Sequence, residues 1–252
     1  GMAVNTLFFK GLLDKLDLER GALKIGGQEY PLKDTNFPTI DPTAPYALSP
    51  EEAKVIEGLA SSFVNCEKLQ RHIEFIYKKG SMYKYYNNCL MFHGCIPMEK
   101  DGSFTTLNVY GDVCSGKSLF DCCERLARQG RYGEEGSEER RRGCDFMWYL
   151  WCGAKSPLFG KDKMATFERY FLAEKETHVE KKNPYYKLLE KEEVVDRILD
   201  GFGLLREGTH IINGHVPVKL KNGESPIKCN GKVLVIDGGF SRAYQKQTGI
   251  AG

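Results

Sequence analysis

Between Ser49 and Gly80, apolar side chains return at steps of three and four: Val55, Leu59, Phe63, Cys66, Leu69, Ile73 and Ile76. That period predicts one long amphipathic helix whose stripe packs into a core. Ser49 and Glu52 suit a capping box, Pro50 suits the first helical position, and Gly80 suits the end. Beyond Gly80, alternation replaces the helical period. Residues 82–86 (M-Y-K-Y-Y) and 89–92 (C-L-M-F) predict two strands joined at an Asn87-Asn88 turn, the second ending in His93-Gly94. Residues 119–128 read as helical, and 146–151 (F-M-W-Y-L-W) as a buried apolar helix or strand. Residues 191–200 form an amphipathic helix ending near Gly201. Two short apolar strands follow, at residues 210–215 (H-I-I-N-G-H) and 233–237 (V-L-V-I-D), each ending in polar residues beside glycine.

Upstream of Ser49 the pattern is weaker. A short amphipathic start runs from Leu7 to Leu18, and the prolines of residues 30–46 exclude regular helix. Residues 1–48 therefore read as an extended, linker-like segment, with 49–252 as the main domain. The mixed-charge run at 131–143 reads as a mobile solvated loop or helix, and the chain holds no internal repeat. Helices interleaved with such strands predict an α/β (α+β) fold, in which chemistry collects at strand ends.

Composition narrows the function classes. Of 252 residues, 41% are hydrophobic, enough for a substantial core. Lys plus Arg number 36 against 34 Asp plus Glu, a net charge of +2. That near balance argues against nucleic-acid or anionic-membrane partners. No apolar run reaches the roughly 18 residues of a membrane span, and the first residues lack a signal-peptide pattern. Nine cysteines without a C-x-x-C pair argue for reduced thiols in a cytoplasm rather than a structural zinc site.

One motif suggests nucleotide chemistry. Residues 111–118 (G-D-V-C-S-G-K-S) match G-x-x-x-x-G-K-[ST], the pattern in which backbone N–H groups wrap phosphate and the lysine, here Lys117, reaches it. Ordinary turn chemistry at Tyr110-Gly111-Asp112 explains the same residues as a hairpin between residues 105–109 and Val113-Cys114. A capping box at Ser118 and Asp121 would then start the following helix. A P-loop NTPase is accordingly the weakest of three readings.

His93 and His215 differ from the other three histidines. Each ends an apolar strand beside a glycine, where an imidazole faces a loop-lined cleft. By residue type alone the pair suits either a packed strand end or a metal-facing one. Two imidazoles do not complete an ion site, since a further protein ligand or carboxylate oxygens are needed.

Longer segments carry a resemblance. Residues 34–41 (D-T-N-F-P-T-I-D), 90–97 (L-M-F-H-G-C-I-P), 148–153 (W-Y-L-W-C-G), 156–161 (S-P-L-F-G-K), 166–171 (T-F-E-R-Y-F) and 182–186 (K-N-P-Y-Y) belong to it. So do 211–218 (I-I-N-G-H-V-P-V), 235–244 (V-I-D-G-G-F-S-R-A-Y) and 248–252 (T-G-I-A-G). In this order they resemble the class III fructose-1,6-bisphosphatases of the calcineurin-like metallophosphoesterase superfamily.

The resemblance implies a two-ion hydrolase, usually with manganese, that removes the 1-phosphate of fructose 1,6-bisphosphate in gluconeogenesis. By motif, His93 and His215 would ligate the same ion. Asp237, at the head of a D-G-G loop bordering the cleft, would orient a ligand histidine or the substrate. Lys161, Arg169 and Lys182 would bind phosphate. The superfamily's other ligand motifs, D-x-H, G-D-x-x-D-R-G and G-N-H-[DE], do not occur in this sequence. The resemblance therefore implies the C-terminal part of an αββα sandwich, lacking an N-terminal half and carrying half a metal site. Alone it would bind metal weakly, catalyse poorly and tend to form homo-oligomers. The second reading, from a different class, is a non-catalytic interaction module.

Overall fold

The computed structural model describes residues 13–237 together with Arg242, Gln245 and Thr248. Residues 7–12 of the expected amphipathic start and Gly238-Gly239 of the D-G-G loop lie outside the described residues. The chain falls into two compact units, one of residues 1–80 with 165–180, the other of residues 81–164 with 181–252. The boundary drawn from the sequence stood at residue 48; the division by contacts runs between Gly80 and Ser81.

In the first unit, the segment read as extended contains an antiparallel meander. Its strands are β1 (Leu16–Asp17), β2 (Ala22–Ile25) and β3 (Gln28–Pro31). Gly26 and Gly27 both take positive φ, 58° and 89°, the two-residue turn that matches strand twist. The backbone N–H of Lys33 donates to the carbonyl of Phe171 at 2.8 Å, tying the meander's exit to the short helix Thr166–Phe171.

The expected long helix is two helices, α1 (Pro50–Val64) and α2 (Glu67–Lys79). The Ser49–Glu52 capping box forms as expected. The break falls where short polar side chains compete for the backbone. The Ser62 hydroxyl donates to the Gly58 carbonyl at 2.8 Å, and Asn65 Nδ2 to the Ser61 hydroxyl at 2.9 Å. The apolar stripe is not core: neither helix contributes a buried residue.

The second unit is built on a five-stranded sheet. Its strands are β4 (Tyr83–Tyr86), β5 (Cys89–Phe92), β8 (His210–Asn213), β9 (Ile227–Lys228) and β10 (Val233–Val235), in the order β4-β5-β8-β10-β9. Strands β5, β8 and β10 run parallel, in register Leu90↔Ile211 and Ile211↔Val233. Asn87 and Asn88, at φ 49° and 58°, close the β4–β5 hairpin as their residue type predicts.

Alternation separates the faces. Leu90, Phe92, Ile211, Val233 and Val235 are buried against Phe120, Tyr185 and the helix Glu192–Gly201. Cys89, Met91, Ile212 and Leu234, on the other face, are only half-buried.

Two long helices complete this unit, α3 (Gly116–Tyr132) and α4 (Glu138–Cys152). Of the two readings for the mixed-charge run, loop or helix, residues 138–143 take the helical one, with Ser137 capping α4. The helices meet through Gly130 and Gly143: a Cβ on Gly143 would stand 2.2 Å from the Gly130 nitrogen. Phe146, Tyr149 and Leu150 are buried, whereas Trp148 and Trp151 face solvent.

The G-x-x-x-x-G-K-[ST] match folds as turn and cap. Strands β6 (Leu107–Val109) and β7 (Asp112–Cys114) form the hairpin around Tyr110-Gly111. The capping box sits one turn earlier than expected, at Ser115 and Ser118. Lys117 lies 2.7 Å from Asp121 Oδ2, on its own helix.

Candidate active site

The three parallel strands end side by side, and a candidate residue follows each. His93 directly follows β5, His215 stands two residues past β8, and Asp237 two residues past β10. Carboxyl ends of parallel strands are where an open α/β sheet places its ligands. Backbone bonds lace these ends together. Gly214 N–H donates to the His93 carbonyl at 2.9 Å, Ile236 N–H to Asn213 at 2.9 Å, and Val218 N–H to Asp237 at 2.8 Å. Asn213 is buried and donates its side-chain Nδ2 to the Gly94 carbonyl at 3.0 Å. Its Oδ1 is buried with no hydrogen-bond partner.

Glycine next to His93 is a packing requirement. A Cβ on Gly94 would lie 2.3 Å from the Pro157 carbonyl oxygen. The same oxygen accepts the Cys95 N–H at 3.0 Å, drawing the 156–160 loop against the strand end. The loop brings the Phe159 carbonyl 3.0 Å from His215 Nε2.

These contacts assign the tautomers. A carbonyl only accepts, so His215 Nε2 carries the hydrogen and Nδ1 of the neutral ring presents a lone pair. His215 Nδ1 lies 3.1 Å from His93 Nε2, which donates in this tautomer; the other tautomer of His93 turns an Nε2 lone pair to the same point. His215 holds φ at 71°, a left-handed conformation uncommon outside glycine. Such strain persists where the surroundings over-determine it, and it clusters at functional sites. Burial holds the His93 imidazole below its ordinary pKa, and His215 beside it adds to this; Asp237 pulls the other way, so its carboxylate lies within electrostatic reach of His93.

As an ion site the set is partial. The two imidazoles converge, yet among the described residues no group of three or more His, Cys, Asp or Glu side chains is arranged to hold a metal.

Two of the three basic candidates share the second unit. Lys161 and Lys182 face each other in an isolated antiparallel bridge, and Lys161 Nζ lies 6.0 Å from the Phe159 ring centre. Partial burial lowers the Lys182 pKa; Lys219 and Lys161 lower it further, against the pull of Glu224. Lys161 and Lys219 thus both lie within electrostatic reach of Lys182. Arg169 belongs to the other unit, where Glu180 pairs with it at 3.0 Å and the His178 carbonyl accepts from it at 3.4 Å.

Sequence reasoning missed Asn213 and Lys219 as site-forming residues. Asn213 stood inside the quoted N-G-H stretch, where a polar residue ending an apolar strand was the available signal. Lys219, four residues past His215, carried none.

A family profile described as Firmicute fructose-1,6-bisphosphatase matches residues 7–252. The chain belongs to this family. It is 56% identical over 241 residues to a class 3 fructose-1,6-bisphosphatase of Clostridium botulinum, covering 96% of this chain and 37% of that protein. Similar class 3 proteins of Clostridium tetani and Clostridioides difficile are 55% and 56% identical, each covered to 36% of its length. This member therefore spans just over a third of the relatives it matches. No solved structure matches the chain. Among the described residues, no helix is long and apolar enough to cross a membrane.

Proposed function

We propose that this chain is the carboxyl-terminal part of a calcineurin-like phosphomonoesterase that hydrolyses the 1-phosphate of fructose 1,6-bisphosphate, a cytoplasmic step of gluconeogenesis. The observation that carries this reading is the convergence of His93 Nε2 and His215 Nδ1 at the ends of adjacent parallel strands, in a chain of this family. The donor set is incomplete in a chain that spans only part of its relatives' length, so the remaining ligands are assigned to polypeptide outside it. Manganese is the proposed ion. Paired ions in such sites generate a nucleophile from water and offset phosphoryl charge.

The chain's own residues then have distinct tasks. His215 is locked in one tautomer by the Phe159 carbonyl, Asp237 biases the His93 ring, and Lys161 and Lys182 attract substrate phosphate. Arg169, already engaged by Glu180, is proposed as a further phosphate contact.

The test is phosphate release by this chain co-expressed with the rest of the Clostridium botulinum relative. Hydrolysis of fructose 1,6-bisphosphate in preference to fructose 6-phosphate is expected. Lys182→Gln should raise KM about tenfold, the loss of one charge-assisted hydrogen bond, while leaving kcat nearly unchanged. Release from other phosphoesters but not from the bisphosphate would remove the substrate assignment, and an unchanged KM would remove Lys182 from it.

A further inference from the structure

One unexplained feature is the exposed apolar surface of α1 and α2. Val55, Ile56, Leu59, Phe63 and Val64 on α1, with Phe75 and Ile76 on α2, are each 53–66% exposed. On α1 they recur at helical spacing, so they form one stripe rather than scattered singles. Contiguous apolar surface of this kind marks a docking face, whereas isolated apolar residues need no explanation. The two helices carry Glu51, Glu52, Glu57, Glu67 and Glu74 against Lys54, Lys68, Arg71, Lys78 and Lys79, a balance that gives no net attraction to an anionic lipid surface.

We infer that this face is the seat of the family polypeptide lying outside the present chain. Two observations select that occupant. The chain accounts for only 37% of the length of its Clostridium botulinum relative, so a large body of family sequence is available to cover the stripe. The histidine pair also lacks the donors that would complete an ion site, so the same polypeptide has to bind this chain for the proposed chemistry to occur. The stripe gives that association an apolar anchor that does not depend on the site. The inference rests on the phosphatase reading for its partner, but its test does not rest on activity.

The experiment co-expresses the full 252-residue chain with the remaining length of the Clostridium botulinum relative and measures co-purification. The wild-type chain should recover its partner one to one. Leu59→Glu with Phe63→Glu should reduce recovery at least tenfold, and the milder Leu59→Ala with Phe63→Ala should reduce it less. Both variants should keep the circular dichroism and melting temperature of the wild type, because the replaced side chains already face water. Lys54→Glu, on the opposite side of α1, should co-purify normally.

Failure of the wild-type chain to recover the partner, or equal recovery by the double-glutamate variant, overturns the inference. So does a dimer of the wild-type chain, held through these side chains, that the partner does not displace. A complex that forms through the stripe but hydrolyses no fructose 1,6-bisphosphate leaves the docking face standing and removes the phosphatase reading.

Discussion

Gly94→Ala should lower the stability of this chain by about 1–3 kcal/mol, the usual cost of forcing an extra carbon into close-packed backbone. The added Cβ would stand 2.3 Å from the Pro157 oxygen and 3.6 Å from the Leu158 Cα, with no flexible side chain able to yield. Either β5 or the 156–160 loop has to move. If the loop moves, the Phe159 carbonyl leaves His215 Nε2 and the tautomer is no longer held. For a domain of this size, each kcal/mol corresponds to roughly 2–4 °C in melting temperature. Thermal unfolding and the imidazole NMR resonances of His93 and His215 should therefore shift together. A variant with unchanged melting and unchanged imidazole signals would show that the loop is not packed there as described.

His215→Gly should separate function from stability. At φ 71°, glycine relieves a conformation that costs a bulkier residue about 1–3 kcal/mol. The substitution also removes a partly buried hydrogen bond to Phe159, worth about 1 kcal/mol. The two terms oppose, and the net change should lie between about 0 and 2 kcal/mol in favour of the variant. Activity of the completed protein should fall by at least ~100-fold, since even groups that merely orient metal ligands account for about 10–100-fold. The opposite pattern, activity kept and several kcal/mol of stability lost, would make His215 a structural residue.

Much of the fold was legible where local chemistry decides conformation. The Asn87-Asn88 turn, the Ser49 cap and the helix ending near Gly201 follow from one or two residues each. So do the short strands preceding His93, His215 and Asp237, whose alternation and flanking glycines are local signals. The meander at residues 16–31 was obscured by the prolines that follow it, although Gly26-Gly27 marked its turn. The stripe of α1 and α2 was misread for a different reason. Periodicity reports that a helix has an apolar face and says nothing of what covers it. The break at Asn65 was likewise hidden, because side-chain competition at Ser61, Ser62 and Asn65 does not interrupt the apolar spacing.

The site was legible in part. Position beside glycine at a strand end selected His93 and His215, and the structure brings their rings to 3.1 Å. The contributions of Asn213, Pro157 and Phe159 depend on loop packing across some 60 to 120 residues of sequence, which no local pattern encodes. The phosphate-loop pattern failed the other way: its residues match, but the turn takes Gly111, the cap takes Ser115 and Ser118, and Lys117 pairs with Asp121.

The central claim is that His93 and His215 form one side of a metal site that polypeptide outside this chain completes. Electron paramagnetic resonance of Mn2+ tests it most directly. The free aqua-ion signal should persist with the chain alone, disappear when the chain is joined to the rest of the family sequence, and return when both His93→Ala and His215→Gly are introduced. Tight Mn2+ binding by the chain alone, or by the joined protein lacking both histidines, would contradict the account.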